Sequence, residues 1–311
     1  MRKAVIDVGS NSLILLVEEF DGHAWRRLQE LTMVTALGEG TKATGLIGDK
    51  GMHASLKALA RMYSEAHKLG VDSIQAAATM AVRIAENRQE FLTRAAAQYT
   101  PVFILSGEEE AQLGFESVAT DPTFDKYSRI SIVDPGGQST EMVTATRTPR
   151  GWDVMFRHSY PVGTLGLRSG VLSDESPQPA AILQASADID DMIGLCYMRG
   201  SAGQSILLGA TGTNLVSIRD KMTRWEPDLI HGAYLDYEEV GKAVGWMMPM
   251  TDVQRAAIPG IESGREKTIH IGALIVERCL FALGSSGCLV SVRGWRHALL
   301  EQGLPRIRSA R

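Results

Sequence analysis

Two stretches of this sequence share one construction, and together they restrict the fold more than any other feature. Each is a short apolar run that ends in aspartate, followed by a turn of glycine and small polar residues and then a second apolar run. The first occupies residues 4–17 and the second residues 130–143. An apolar run, a glycine turn and another apolar run form the pattern of a β-hairpin. The chain is therefore predicted to contain one such hairpin in each half.

The two turns correspond residue by residue. The matching pairs are Asp7 with Asp134, Gly9 with Gly136, Asn11 with Gln138, and Ser12 with Ser139. Two turns in matching register predict a duplicated domain, with each half offering one loop to a shared cleft.

Turns of this composition are suited to phosphate. Glycine allows a ligand to approach the backbone closely, and backbone N–H groups and serine hydroxyls donate to phosphate oxygens. A neighbouring aspartate would repel phosphate unless Mg²⁺ or another divalent cation lay between them. The predicted phosphate-binding residues are Gly9, Ser10, Asn11 and Ser12 in the first turn and Gly136, Gly137, Gln138 and Ser139 in the second. The predicted metal ligands are Asp7, Asp134 and Glu141.

The size and charge of the chain limit the classes of function. Its 311 residues fit two domains of about 150 residues each. The net charge of −4 argues against binding nucleic acid by bulk electrostatics, so no DNA or RNA partner is expected. The cysteines Cys196, Cys279 and Cys288 have no disulfide or zinc spacing and suit a reducing cytosol. No apolar run reaches the roughly 18 residues of a membrane span, and a cytoplasmic location is predicted.

Hydrophobic periodicity beyond the hairpins predicts further strands and helices. Further strands are predicted at residues 25–37, 71–78, 102–105, 151–162, 205–208 and 289–292. Helices are predicted at residues 49–69, 79–99, 108–117, 180–197, 236–250 and 266–283, and from residue 296 onward. A turn at residues 121–123 sets the predicted domain limits at 1–123 and 124–295, with the last helix, 296–311, completing the first domain.

Charged residues at the start of two predicted helices are further candidates. Arg83 lies in the first turns of one helix, where it either meets an anion or forms a surface salt bridge. Glu108, Glu109 and Glu110 open the next helix, where acidic residues already interact favourably with the helix dipole. A functional role requires one of the three to point into the cleft.

A third glycine turn follows the strand predicted at 205–208. A strand, a glycine turn and a helix start together form a place where an anion or a nucleotide can bind. The predicted nucleotide-binding residues are Gly209, Thr211, Gly212 and Thr213.

These motifs resemble those of the exopolyphosphatase and guanosine pentaphosphate phosphohydrolase family, within the actin-like ATPase and sugar-kinase superfamily. They follow the family's order over nearly the whole chain: residues 7–12, 37–40 and 44–45, 78–79 with Arg83, Asn87, Glu90 and Phe91, then 106–111, 134–141, 209–213, and 259–261 before Arg265 and 272–273. The resemblance implies an α/β fold of two RNase H-like (actin-like ATPase) domains related by duplication, with an interdomain cleft.

The resemblance also implies a chemistry. Family members use Mg²⁺ to remove terminal phosphates from polyphosphate, or the γ-phosphate-like group from guanosine pentaphosphate, so the implied partners are polyphosphate and guanosine pentaphosphate or tetraphosphate. The family often forms homodimers. By position, Glu110 and Glu141 resemble the two catalytic carboxylates, while Arg83 and Arg265 resemble phosphate-contacting arginines.

This assignment agrees with what phosphoanhydride hydrolysis requires. The reaction needs an in-line water, neutralised charge on the leaving phosphate, and positioning rather than covalent chemistry. A carboxylate at Glu110 that orients or deprotonates the water would contribute about 10²–10⁴-fold.

The sequence departs from the family at three places. Ile14 stands where an arginine often follows the hairpin serine, and Gln138 replaces a third glycine of the second loop. Near the C-terminus, the chain has Val-Arg-Gly-Trp-Arg at residues 292–296, where the family commonly has an acidic residue before Arg-Gly-Leu-Arg. These departures bear on affinity and substrate choice. Because the chain ends at Arg311, it resembles the short form that lacks extra helical domains.

Two other functions remain open from the sequence. One is a non-catalytic sensor that binds alarmones or polyphosphate, which the changes at Ile14 and Gln138 motivate. The other is a phosphotransferase related to acetate or sugar kinases, which share the two-loop design. A carboxylate placed like Glu110 favours activation of water over this last alternative.

Overall fold

The computed structural model describes residues 1–194 and 202–305. The chain divides into two compact units. The first unit comprises Met1–Leu113 together with the chain from Trp295 onward, and the second comprises Gly114–Gly294. The division thus falls inside a helix, Gly107–Ala119, whereas the sequence prediction used the turn at residues 121–123.

The first unit contains one five-stranded sheet. Its strands are β1 (Arg2–Val8), β2 (Ser12–Phe20), β3 (Trp25–Val34), β4 (Ser73–Ala78) and β5 (Phe103–Ile104). They are ordered β3-β2-β1-β4-β5, with β1 to β3 antiparallel and both β4 and β5 parallel to β1. The first predicted hairpin is therefore the centre of this sheet.

The second unit repeats this arrangement and adds one strand. Its strands are β6 (Arg129–Pro135), β7 (Thr140–Thr148), β8 (Gly151–Tyr160), β9 (Gln204–Leu207), β10 (Tyr234–Asp236) and β11 (Gly287–Val290). The order is β10-β11-β9-β6-β7-β8, so β8-β7-β6-β9-β11 reproduces the order of the first sheet. Strand directions also agree, because β6 to β8 are antiparallel and β9 and β11 are parallel to β6.

The duplication extends to single hydrogen bonds at the ends of the parallel strands. In the first unit Leu105 N–H donates to the Ala78 carbonyl at 2.9 Å, and in the second Ser291 N–H donates to the Leu207 carbonyl at 2.9 Å. The same backbone connection therefore continues each sheet past its last paired residue.

Helices cover both sheets. In the first unit they are Thr41–Thr44, Asp49–Lys68, Met80–Ile84, Arg88–Ala97 and Trp295–Gln302, with Gly107–Ala119 passing into the second unit. The second unit contains Thr164–Arg168, Pro179–Ile193, Gly209–Arg219, Pro227–Ile230, Tyr237–Met247, Asp252–Ala256 and Ile269–Leu283. The end of the helix predicted at 180–197 lies outside the described residues.

The helix predicted over residues 79–99 is wrong, because the chain forms two helices there. Met80–Ile84 ends at Ala85, whose backbone is extended with φ −72° and ψ 132°. The break allows the Asn87 side chain to bind the Ile47 backbone twice: Asn87 Oδ1 accepts from Ile47 N at 2.9 Å and Nδ2 donates to Ile47 O at 3.0 Å. A bond between residues forty positions apart thus outweighs the local helical pattern.

The helix predicted at 236–250 is shorter than expected. It ends at Met247, and a new helix begins after Thr251, whose hydroxyl accepts from Gln254 N while Gln254 Oε1 accepts from Thr251 N. This reciprocal pair is a capping box, which specifies a helix start. The strand β10 and the short helices Pro227–Ile230 and Asp252–Ala256 were not predicted from the sequence.

Each unit has its own hydrophobic core. The helix Asp49–Lys68 buries Met52, Leu56, Leu59 and Met62 against the first sheet, as its spacing predicted. In the second unit the helix Ile269–Leu283 is buried on nearly every side. Truncating a fully buried side chain such as Leu59 to alanine would cost about 2–5 kcal/mol. Among the helices at residues 1–194 and 202–305, none is long and apolar enough to cross a membrane.

Candidate functional site

The candidate residues of the first unit lie at one edge of its sheet. Strands β1, β4 and β5 are parallel, and their last residues are paired, Val8 with Ala78 and Ala78 with Ile104. The segments that follow these strands carry the first glycine turn, Arg83 and Glu110 respectively. In open α/β sheets, ligands bind at this carboxyl edge of the strands.

The first turn has a backbone that requires glycine. Gly9 N–H donates to the Ser12 carbonyl at 3.1 Å and closes the turn. A Cβ at Gly9 would lie 2.8 Å from that same carbonyl oxygen, which is closer than real Cβ atoms approach. The turn residues are mostly covered, and Ser10, Asn11 and Ser12 are each less than a tenth exposed.

The carbonyls of the first turn are held by the segment that follows β3. The Asn11 carbonyl accepts from Thr35 N at 3.0 Å and Ala36 N at 2.9 Å, and the Ser10 carbonyl accepts from Gly38 N at 2.8 Å. In contrast, the Asn11 side-chain Nδ2 is buried and has no acceptor within the described parts of the chain. The turn thus has its acceptors occupied and keeps a donor, an arrangement that suits an anion.

The second turn is built in the same way. Gly136 N–H donates to the Ser139 carbonyl at 2.8 Å, and a Cβ at Gly136 would lie 3.0 Å from that oxygen. The predicted correspondence of Gly9 with Gly136 and of Ser12 with Ser139 is therefore confirmed. Gln138 and Ser139 are almost fully buried.

A short helix after β8 holds the carbonyls of the second turn. The Gly136 carbonyl accepts from Thr164 N at 3.0 Å, and the Gly137 carbonyl accepts from Leu165 N at 2.7 Å. The preceding Gly163 touches the turn so closely that a Cβ there would lie 2.5 Å from the Gln138 nitrogen. This support was not predicted from the sequence.

The residues facing the two aspartates differ. Across β6 and β7, Asp134 is paired with Glu141, whereas across β1 and β2, Asp7 is paired with Ile14. Glu141 is only 4% exposed, and its Oε1 accepts from the Ser159 hydroxyl at 2.6 Å. Ser159 was missed by the sequence analysis, and only the register of β7 with β8 places it opposite Glu141.

Asp134 also lies beside the start of the helix Gly209–Arg219. A Cβ at Gly209 would be 2.8 Å from Asp134 Oδ1, and Gly209 has a φ of +76°, so both space and backbone require glycine. The predicted nucleotide-binding residue Gly209 is thus brought together with the predicted metal ligand Asp134.

The other predicted nucleotide-binding residues contact the protein itself. A Cβ at Gly212 would lie 2.9 Å from the Leu207 side chain, so this glycine lets the helix lie close to β9. Thr211 packs against Gly272, and the Thr213 hydroxyl donates to the Ala210 carbonyl at 3.2 Å. The contacts of Gly212 and Thr211 thus attach the helix to its neighbours, whereas that of Thr213 lies within the helix.

The three glutamates that open the helix Gly107–Ala119 have three different environments. Glu109 forms a capping box with Ser106, since its Oε2 accepts from Ser106 N at 2.8 Å and Ser106 Oγ accepts from Glu109 N at 3.2 Å. Glu108 is exposed. Glu110 is 8% exposed, and its Oε2 lies 3.3 Å from Arg83 Nη1. Only Glu110 is therefore both covered and paired with a candidate arginine.

Arg83 and Arg265 both have protein partners. Arg83 Nη1 donates to the Leu105 carbonyl at 2.6 Å as well as to Glu110. Arg265 Nε lies 3.3 Å from Glu262 Oε2, and Glu262 N–H donates to Asn214 Oδ1 at 2.7 Å. The segment that carries Arg265 is thus attached to the helix Gly209–Arg219.

Asp134 and Glu141 are the pair in the second unit that fits a divalent cation. Residues directly opposite in an antiparallel sheet have Cβ atoms about 4.5–5.5 Å apart, and like charges there are destabilising. Carboxylate oxygens are the donors that Mg²⁺ takes, often only one or two together with phosphate oxygens and water. The described residues contain no group of three or more His, Cys, Asp or Glu side chains that could hold a metal ion, so the predicted set of three ligands, Asp7, Asp134 and Glu141, is not found.

The described cysteines are not nucleophiles. Cys279 and Cys288 are free and buried, and burial raises the pKa of each thiol to about 12. Cys196 lies outside the described residues. The thiolate needed for covalent catalysis would therefore not form at neutral pH at either described cysteine.

Known proteins resemble this chain over nearly its whole length. Exopolyphosphatase 2 of Mycobacterium tuberculosis is 26% identical over 292 residues, covering 89% of each chain. The Aquifex aeolicus member of the Ppx/GppA family superposes with a TM-score of 0.79 at 24% identity, covering 96% of both chains. An exopolyphosphatase from Cytophaga hutchinsonii gives 0.84 at 19% identity, again covering 96% of both.

The structural likeness concerns the fold, and the predicted α/β class, with two units whose sheets repeat one strand order, is confirmed. The family follows from the sequence, since the pattern of the Ppx/GppA phosphatase family matches residues 16–307. This chain is a member of the Ppx/GppA phosphatase family.

Proposed function

We propose that this protein hydrolyses the terminal phosphoanhydride bond of inorganic polyphosphate, with Glu110 activating the attacking water. The observation that supports this most is the environment of Glu110. Of three adjacent glutamates, it alone is covered and held by an arginine, at the carboxyl edge of the first sheet. A carboxylate with a fixed orientation is what a water-activating group requires.

The two glycine turns would bind phosphate groups. In each turn the carbonyls accept from a neighbouring segment, which leaves donors for phosphate oxygens. In the first turn these include the buried Asn11 Nδ2. Backbone donors and a side-chain amide hold a phosphate without adding a full positive charge, so the product can also leave.

Mg²⁺, or another divalent cation, would be held by the facing carboxylates Asp134 and Glu141 of the second unit. When bound, it would neutralise charge on the phosphate oxygens during transfer. Ser159 fixes the Glu141 carboxylate by donating to its Oε1 at 2.6 Å. The protein thus supplies a fixed pair of acceptors.

Arg83 would act first on Glu110. Its Nη1 reaches both Glu110 and the Leu105 carbonyl, which fixes the guanidinium between a helix and a strand end. A phosphate contact through the remaining nitrogens of Arg83 agrees with the implied family role. Arg265 would be a second phosphate contact in the other unit.

Polyphosphate is preferred here over guanosine pentaphosphate because of the helix Gly209–Arg219. The Thr213 hydroxyl already donates to the Ala210 carbonyl, and Thr211 packs closely against Gly272. A substrate that consists of phosphates alone makes no demand on them. The similarity to exopolyphosphatase 2 of Mycobacterium tuberculosis also supports this choice.

The substitution Glu110→Gln tests the proposal, with Glu108→Gln as its matched control in the same helical turn. Phosphate released from long polyphosphate and from guanosine pentaphosphate is measured with and without Mg²⁺. We expect Glu110→Gln to lower polyphosphate turnover by about 10²–10⁴-fold, the range for a lost acid–base group. Glu108→Gln should retain the wild-type rate.

Three results would contradict the proposal. Undiminished turnover in Glu110→Gln would remove the catalytic assignment. Tight calorimetric binding of polyphosphate by the wild-type protein, without phosphate release under Mg²⁺, would favour a sensor. Formation of ATP from ADP and polyphosphate would favour a phosphotransferase.

A further inference from the structure

The second glycine turn is connected to a buried network of charged residues. The connection is the helix Thr164–Arg168, whose first amides hold the Gly136 and Gly137 carbonyls. Arg168 ends the same helix, one turn from those amides. The Arg168 side chain therefore belongs to the same short helix that fixes the turn.

Arg168 is held on two sides. Its Nη2 lies 3.1 Å from Asp252 Oδ2, and its Nη1 donates to the Ser173 carbonyl at 2.7 Å. The side chains of Arg168 and Asp252 are 18% and 13% exposed. Ion pairs with this degree of burial are screened much less than surface pairs.

Asp252 also binds a second arginine, Arg255, whose side chain has no exposed surface. Arg255 donates to one Asp252 oxygen and to the carbonyls of four other residues. These are Glu175 at 3.0 Å, Met247 at 3.0 Å, Met250, and Glu266 at 2.6 Å. Glu266 directly follows Arg265, the predicted phosphate contact.

A buried guanidinium restricts its surroundings strongly. Leaving any of its donors or its charge unsatisfied is costly, so the chain segments that supply the acceptors must keep their positions. His270, buried nearby, does not add charge: burial, followed by the positive Arg255 and Arg168, lowers its pKa to about 3. One fully satisfied cation therefore ties together four backbone carbonyls from three stretches of the chain.

We propose that Arg255, Asp252 and Arg168 are positioning residues that fix the second phosphate turn and the segment carrying Arg265. The network joins the two through a continuous path of hydrogen bonds: Glu266 to Arg255, Arg255 to Asp252, Asp252 to Arg168, and then the helix to Gly136 and Gly137. Its effect on turnover rests on the proposed function, whereas its effect on the turn does not.

Hydrogen exchange measured by mass spectrometry on the full chain tests the positioning directly. The variants are Asp252→Asn, which keeps the side-chain shape and removes the charge, and Arg168→Lys, which keeps the charge and loses the second contact. Asp125→Asn is the matched control, because Asp125 also pairs with an arginine, Arg147 at 2.8 Å, in the same unit but on an exposed surface.

We expect amides in peptides covering residues 134–140 and 162–168 to exchange at least about ten-fold faster in both variants than in the wild-type protein. The control should match the wild type. Unchanged exchange in folded Arg168→Lys and folded Asp252→Asn would overturn the proposal. If Asp252→Asn does not fold, Arg168→Lys alone decides.

A kinetic readout separates this inference from the proposed function. If the wild-type protein hydrolyses polyphosphate, Arg168→Lys should raise KM by about five-fold or more, because phosphate grip is loosened. Faster exchange with no polyphosphate turnover in the wild type would leave the positioning standing and remove the function. A wild-type KM together with wild-type exchange would remove the positioning alone.

Discussion

The two glycine turns are alike in backbone and different in charge. Both are closed by a glycine N–H bonded to the carbonyl of a serine three residues later, and both have their carbonyls held by the segment after the third strand. The aspartate of the first turn faces Ile14, whereas that of the second faces Glu141. We therefore propose that one shared backbone supports two tasks. In this proposal the second turn binds a cation together with phosphate, whereas the first turn only donates hydrogen bonds to phosphate.

The largest effect is expected when glutamine is placed at each of the two positions that face the aspartates, Glu141 and Ile14. Glu141→Gln should lower kcat/KM for polyphosphate by at least about 100-fold, since a metal-binding or acid–base carboxylate is lost. Ile14→Gln should change it by less than about three-fold. Phosphate release at several Mg²⁺ concentrations is the measurement. Equal losses in both variants would mean that the two turns share one task.

The close contact that supports the second turn can be tested by substituting Gly163. Gly163→Ala puts a Cβ at 2.5 Å from the Gln138 nitrogen, so the backbone of the turn or the helix must shift. We expect a loss of about 1–3 kcal/mol in the free energy of unfolding, as for other overpacked sites, and a higher KM. Gly48→Ala is the control, because no atom lies within 4 Å of its added Cβ.

Urea unfolding and the KM for polyphosphate measure both effects. Wild-type values in Gly163→Ala would show that the close approach of Gly163 to the turn is unimportant.

The sequence predicted what depends on local pattern and missed what depends on distant partners. The hairpins, the buried face of Asp49–Lys68 and the turn residues follow from apolar spacing and glycine placement. The break at Ala85 depends on Asn87 reaching Ile47, which no local pattern indicates. Glu110 was singled out by resemblance, and its separation from Glu109 required the capping box to be seen.

Ser159 and the Arg255 network show the same limit. Ser159 is opposite Glu141 only because β7 and β8 pair in one register, with a bulge between Thr144 and Ala145. The local sequence gives no sign that Arg255 is buried, because only the fold brings the carbonyls that accept its hydrogen bonds into contact with it.

Acid stability should differ between the two units. In the second, the pKa of buried His270 is lowered to about 3, so the unfolded chain takes up the proton first as the pH falls. The stabilising contribution of neutral His270 is fully present above pH 6.5 and is lost progressively as the pH falls toward 3. Between pH 7 and pH 5 the free energy of unfolding should fall by about 2 kcal/mol from this residue.

His270→Leu should reduce that loss, whereas His67→Leu, at an exposed site of the first unit, should not. Urea unfolding at pH 7 and pH 5 provides the comparison. An identical acid dependence in His270→Leu and the wild type would contradict the assignment.

The smallest expected effect concerns Ser159 and its counterpart. Thr32 faces Ile14 as Ser159 faces Glu141. Ser159→Ala should lower kcat about ten-fold with little change in KM, because a hydrogen bond to a charged group contributes about 1.5–3 kcal/mol. Thr32→Ala should leave both constants near wild type. Steady-state kinetics over pH 6–9 are the measurement, and they would also show whether the pH–rate profile shifts on its acid side. Equal kinetics in the two variants would contradict a positioning role for Ser159.

The central claim is that both turns bind phosphate, and a crystal structure of Glu110→Gln with tripolyphosphate and Mg²⁺ tests it most directly. The account predicts that each turn, residues 9–12 and residues 136–139, binds phosphate oxygens through its own donors, with the cation at Asp134 and Glu141. Tripolyphosphate bound away from both turns would contradict it.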